Sequence, residues 1–230
     1  MAFFLTGGGD QDDFRELDKV FLESLPNQAS ILVIPLAADQ DDFEDILERV
    51  ESCFSGKKIN AVELCEDPSS LSTSDLENYD ALFIEGGNTF QLVEAMRGTK
   101  LFDGLEEYLS RGRSIYADSA GAIVLGSNVR SAFLGDEADE DAQKLQDYRG
   151  LNLLDPWSIH CHYESSDDEG LQNLLFESGS PILVLAEPCG VHIEGRKLRV
   201  YGKESLEVFT FTGKQVYGVG EEVDLENILG

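Results

Sequence analysis

Arg113-Ser-Ile-Tyr-Ala-Asp-Ser-Ala-Gly-Ala-Ile-Val-Leu-Gly126 is the stretch whose reading decides the fold. Ser114 to Ala117 predicts a short strand arriving at a tight turn, Ser119 stands on that turn, and Ala122 to Leu125 begins a buried helix. Strand, sharp turn with Ser, and closely packed helix make up the nucleophile-elbow pattern. The small residues Ala120, Gly121 and Ala122 let the helix approach the strand, and backbone N–H groups at a helix start can hold an anion. The structural alternative is a plain helix entry in which Ser119 only caps the helix.

Outward from the elbow, apolar strands alternate with amphipathic helices. Strands are predicted at Ala2 to Thr6, Ile31 to Leu36, Asn60 to Leu64 and Ala81 to Ile84. Helical spacing of apolar residues falls at Phe14 to Leu25, Phe43 to Phe54, Gln91 to Arg97 and Leu101 to Leu109. Such alternation predicts an α/β fold, a mostly parallel sheet with helices on both faces. Functional loops then gather at the carboxyl ends of the strands. The Gly7-Gly8-Gly9 turn, the Gly86-Gly87-Asn88 turn and Ser119 all follow strands and are expected to converge there. Beyond the elbow, Leu171 to Phe176 reads as helix and Ile182 to Ala186 as a buried strand. Four alternating segments between Val191 and Tyr217 then predict a C-terminal antiparallel meander. Without repeats, low-complexity tracts or a linker, residues 1–230 read as one domain.

Composition narrows the function classes. There are 45 acidic residues against 17 basic ones, a formal net charge of −28. That balance argues against nucleic acid and against an anionic membrane surface as partners. The acids are scattered, so a solvated surface accounts for them; adaptation to high salt is the sharper alternative. No stretch approaches the roughly 18 consecutive apolar residues of a membrane-spanning helix. The start of the chain has neither a basic leader nor a long apolar run and reads as a core strand. Cys53, Cys65, Cys161 and Cys189 are scattered without metal-ligand pairing, so a reducing, cytoplasmic setting is expected.

A serine nucleophile needs a base, and the candidates are His160, His162 and His192. His192 sits between Val191 and Ile193 and reads as structural. His160 and His162 alternate along an extended segment, which also leaves open a His-x-His metal pair. An acid must orient the base, and the loop carrying Asp136, Glu137, Asp139, Glu140 and Asp141 offers several. Two backbone donors must receive an oxyanion; Ala120 N–H follows the nucleophile and Gly87 N–H can come from the other turn.

Together these residues resemble the serine peptidase family of dipeptidase E (aspartyl dipeptidase) and cyanophycinase. Gly86-Gly-Asn-Thr-Phe-Gln-Leu92, Ser119-Ala-Gly-Ala122 and His162-Tyr163, the last after Gly150-Leu-Asn-Leu153, match its motifs in order along nearly the whole chain. The resemblance implies a class I glutamine amidotransferase-like fold with Ser in place of Cys. It implies Ser119 as nucleophile, His162 as base, Glu137 or Asp139 as the acid, and Gly87 with Ala120 as the oxyanion hole. Gly86 and Asn88 of the matching turn are the candidate substrate-binding residues. The implied activity is hydrolysis of short peptides, with aspartyl dipeptides as the family's offer, no cofactor or metal, and a monomer or homodimer. An acidic first residue would want a cation, with Arg130 and Arg149 as candidates. Two positions depart from the pattern: Ala117 stands where the family carries Gly, and Asp118 immediately precedes the nucleophile. An α/β-hydrolase-type esterase and a non-catalytic binding protein of the same fold are the competing readings.

Overall fold

The computed structural model describes residues 1–54 and 59–229. Its framework is an eight-stranded sheet. The strands are β1 (Ala2–Thr6), β2 (Ala29–Ile34), β3 (Ile59–Leu64), β4 (Ala81–Ile84), β5 (Ser114–Asp118), β8 (Cys189–Glu194), β9 (Lys197–Gly202) and β12 (Glu222–Asp224). Their order is β12-β9-β8-β1-β5-β4-β2-β3. The five strands β1 to β5 run parallel, whereas β8, β9 and β12 pair antiparallel at one end. A smaller sheet, ordered β11-β10-β7-β6, holds β6 (Ser158–His160), β7 (Ile182–Leu185), β10 (Leu206–Thr210) and β11 (Gly213–Tyr217). The antiparallel C-terminal strands are therefore shared between two sheets. Alternation along a strand records which face is buried, not which neighbour it pairs with.

Both faces of the large sheet are covered, as continuous apolar strands require. Helices α1 (Arg15–Ser24) and α2 (Phe43–Cys53) put Leu17, Phe21, Ile46 and Val50 against Phe4, Ile31, Val33 and Phe83. On the opposite face, α3 (Thr89–Met96), α4 (Lys100–Ser110) and α5 (Ala120–Leu125) put Leu92, Leu101, Leu105 and Ile123 against Phe3, Leu5, Leu32 and Ile84. Neighbouring residues of β1, Phe3 and Phe4, thus belong to different cores, the period of two that a strand imposes. His192 stacks on Phe4 with ring centroids 4.4 Å apart, and burial lowers its pKa, in keeping with a structural role. Helix α6 (Asp168–Ser178) covers the small sheet through Leu171, Leu174 and Leu175. Among the described residues, no helix is long and apolar enough to cross a membrane.

The order β1-β5-β4 brings three carboxyl ends side by side. Gly7 to Gly9 leave β1, Ser119 leaves β5, and Glu85 to Gly87 leave β4. The two sheets meet nearby: His162, just past β6 of the small sheet, donates its N–H to the Gly7 carbonyl at 3.1 Å.

Candidate active site

Ser119 has φ 47° and ψ −113°, a left-handed conformation for a residue with a side chain. Such a backbone costs about 1–3 kcal/mol and persists only when its surroundings enforce it. Three bonds do so here: Ser119 N–H donates to the Thr6 carbonyl at 3.0 Å, and its own carbonyl accepts from Ala122 and Ile123. Close packing is the other requirement. A Cβ on Gly121 would lie 2.3 Å from the Ile84 carbonyl oxygen, so helix α5 can seat against β4 only with glycine there.

The strained turn aims Ser119 at His162. Oγ of Ser119 lies 2.6 Å from Nε2 of His162. His162 stands just beyond the end of β6 and also has a positive φ, 53°, so it leaves the alternation of the strand. The ring rests on Gly8: a Cβ there would sit 2.4 Å from His162 Cε1. Gly8 itself has φ +93°. The glycine run after β1 therefore makes room for the imidazole. Gly8→Ala is expected to displace the ring and lower kcat by about a hundredfold, the cost of a misplacement on the order of 1 Å. Steady-state kinetics beside a thermal melt check this, the melt separating the stability cost of a side chain at positive φ from the loss of turnover.

The other ring nitrogen faces two carboxylates. His162 Nδ1 is 3.2 Å from Glu187 Oε1 and 3.9 Å from Glu137 Oε2. Glu187 follows β7 and was not among the acids read from the sequence. Its signal was available: it lies just past the buried strand Ile182 to Ala186, at a strand's carboxyl end. Of the two acids that were expected, Glu137 reaches the ring, whereas Asp139 is directed elsewhere, its Oδ2 accepting from Thr89 N–H at 2.8 Å. That bond, and the one from Asn88 Nδ2 to the Glu140 carbonyl at 3.0 Å, fasten the acidic loop to the start of α3. Asn88 Oδ1 also caps α3 by accepting from Gln91 N–H at 2.9 Å, whereas its neighbours Gly86 and Gly87 line the cavity around Ser119.

His160 lies apart from this relay. It is buried, with Nδ1 3.2 Å from the Ser131 carbonyl and Nε2 3.3 Å from Asp167 Oδ2; burial lowers its pKa against the pull of Asp167. A His160/His162 metal pair finds no support in this arrangement. Among the described residues, the three side chains whose ligand atoms all lie within 4.8 Å of one another are Glu137, His162 and Glu187.

Around the Ser–His pair is a cavity of about 340 Å³, lined among others by Gly8, Gly86, Gly87, Thr89 and Ile123. Gly87 has φ +127°, and a Cβ on it would lie 2.2 Å from the Ala37 carbonyl oxygen, so the turn admits only glycine. A Cβ on Gly86 would be 3.2 Å from Ser119 Cβ, which shows how closely this turn approaches the elbow. Behind the serine, Asp118 accepts from the Thr6 hydroxyl at 2.5 Å. Burial pushes its carboxyl pKa up, against the Thr6 bond and the Arg49 and His162 charges. Glu85 is also raised, first by burial, with an ion pair to Arg49 opposing. Arg130 and Arg149 do not line the cavity: Arg130 lies over the Tyr148 ring and 3.8 Å from Glu177, and Arg149 pairs with Asp147.

Comparison with known proteins gives the family. Residues 3–201 match the model of peptidase family S51. The chain is 28% identical over 223 residues to a Nostoc sp. protein named peptidase E, covering 91% of this chain and 87% of that one. It is 28% identical over 149 residues to a Drosophila melanogaster protein named probable alpha-aspartyl dipeptidase, covering 60% of each. In fold it is similar to the crystal structure of a peptidase from an acI-B1 actinobacterium, with a TM-score of 0.77 at 18% identity over 97% of this chain and 96% of that one. With the family model spanning the elbow, the glycine turns and the histidine together, the chain belongs to peptidase family S51 and is a serine-type peptidase.

Proposed function

We propose that the protein hydrolyses short peptides by a Ser-His-acid mechanism with Ser119 as nucleophile, His162 as general base and Glu187 as the orienting acid. The observation that carries this reading is the 2.6 Å contact between Ser119 Oγ and His162 Nε2, on a backbone held in a strained conformation on both sides. Glu187 accepts the Nδ1–H proton of His162, which fixes the tautomer whose Nε2 lone pair faces the serine. Nε2 then takes the hydroxyl proton as Oγ adds to the scissile carbonyl. Charge develops on the carbonyl oxygen, and the N–H groups of Gly87 and Ala120 are the donors assigned to it. His162 returns the proton to the leaving amine, and water repeats the sequence on the acyl-enzyme. Glu137, farther from Nδ1 and more exposed, adds negative charge near the imidazolium without holding it.

The cavity suits a substrate of dipeptide size. Aspartyl dipeptides, the expectation from the family resemblance, would need a countercharge for the Asp side chain. Neither Arg130 nor Arg149 is positioned to provide it. The testing experiment is fluorophosphonate labelling of the intact protein, with peptide mapping of the adduct, alongside hydrolysis of a dipeptide panel. Labelling confined to Ser119 and blocked turnover are expected; an unlabelled Ser119 in a protein that still cleaves dipeptides would remove the assignment.

A further inference from the structure

Four carboxylates line the cavity that holds Ser119 and His162: Glu85, Asp118, Glu137 and Asp139. Its described lining residues include no lysine or arginine. Arg49 lines a second, adjoining cavity of about 470 Å³ that shares Gly9, Glu85 and Asp118 with the first. Its charge is matched there by the ion pair with Glu85, whose other oxygen accepts from Gly86 N–H at 3.0 Å. In direct contact Asp118 is answered by uncharged donors, the Thr6 hydroxyl and the Gly8 backbone N–H, with the Arg49 and His162 charges farther off, and Asp139 by the Thr89 N–H; neither has an ion-pair partner among the described residues.

Beside Asp139 is an independent feature. Thr89 is fully buried, it lines the same cavity, and its hydroxyl has no hydrogen-bond partner among the described residues. A buried hydroxyl left unpaired is unfavourable, so a ligand that donates to it removes a cost. Two carboxylates outside any ion pair among the described residues and one unpaired acceptor together suit a group with several N–H donors and a positive charge.

We propose that the cavity selects peptides whose first residue carries a cationic side chain, lysine or arginine, with Asp118, Asp139 and the Thr89 hydroxyl as its partners. The inference rests on the peptidase reading of Ser119 and His162. Asp118, the residue immediately before the nucleophile, thereby gains a role, since its ionised form, opposed by burial, is favoured again when a cation enters. A cationic preference also runs with the net charge of −28, which attracts a cationic peptide and repels an acidic one. The free α-amino group is common to every dipeptide, so only the side chain distinguishes the substrates.

The test is kcat/KM for Lys-Leu, Arg-Leu, Ala-Leu and Asp-Leu with the wild type, Asp118→Asn and Asp139→Asn. Calorimetric binding of the same dipeptides to Ser119→Ala accompanies it. Both amide variants keep the acceptor for Thr6 or Thr89 and remove one charge. Lys-Leu and Arg-Leu are expected to exceed Ala-Leu by about tenfold or more, with Asp-Leu lowest, as for hydrogen bonds between charged groups. Each amide variant should bring the Lys-Leu to Ala-Leu ratio severalfold closer to parity. Parity in the wild type, a lead for Asp-Leu, or a ratio unchanged in both variants would overturn the inference. Binding separates it from the peptidase reading. A cationic preference in Ser119→Ala without turnover of any peptide by the wild type keeps the cation site and removes the peptidase. Turnover without a cationic preference does the reverse, and no binding of any dipeptide overturns the inference.

Discussion

Replacing Ser119 with alanine leaves a folded protein whose peptide turnover falls by about three orders of magnitude or more. Folding survives because the turn is held by backbone bonds, from Ser119 N–H to the Thr6 carbonyl and from Ala122 and Ile123 N–H to the Ser119 carbonyl. Alanine meets the same positive φ as serine, so the backbone strain is unchanged. What is lost is the oxygen that faces His162 Nε2. Without it the remaining groups act on water alone, and the residual rate reflects the oxyanion donors and binding. The measurement is kcat on the best dipeptide of the panel, with a melting curve beside it. A variant that keeps a tenth of wild-type turnover would show that Ser119 is not the nucleophile.

Much of this site was legible in the sequence because close packing demands particular residues. Gly121 and the small residues around it announce the elbow, since only glycine clears the Ile84 carbonyl. The Gly86-Gly87-Asn88 turn is legible for the same reason, although its members divide the work differently than expected. Gly86 and Gly87 line the cavity, whereas Asn88 caps α3 and holds the acidic loop. Gly8 could be read only as a glycine; that it clears space for His162 depends on β6 arriving beside β1 from the other sheet. The acid proposed for the relay was harder still. A carboxylate that touches an imidazole through a tertiary contact leaves no period or spacing behind. The loop between Ser119 and His162 drew attention because it is dense in acids, yet its Asp139 is taken by Thr89 N–H. Glu187 comes instead from beyond His162, at the end of β7. Strand pairing was obscure on the same grounds: β8 and β10 both alternate, but one joins the large sheet and the other the small one.

His162→Ala is expected to abolish turnover to the same extent as Ser119→Ala, and the double variant to be no worse than either single one. Groups that act as a unit are not additive: once the base is gone the serine hydroxyl keeps its proton, and removing the hydroxyl as well costs nothing more. His160→Ala, two residues earlier, should behave differently. Its ring is buried, and both of its nitrogens are directed at Ser131 and Asp167 rather than at Ser119. Its loss leaves the Asp167 carboxylate short of a partner and lowers stability rather than removing the base. Glu187→Gln tests the third position. The amide can present an N–H to Nδ1, which favours the tautomer with the proton on Nε2 and so leaves the serine without an acceptor; a loss of up to about 10⁴ in kcat is the expected scale. Glu137→Gln, at 3.9 Å and on an exposed side chain, should cost at least tenfold less than Glu187→Gln. Kinetics of these six variants on one dipeptide decide the order. If His160→Ala proves the more damaging histidine change, or Glu137→Gln the more damaging acid change, the relay runs through different side chains from those assigned here.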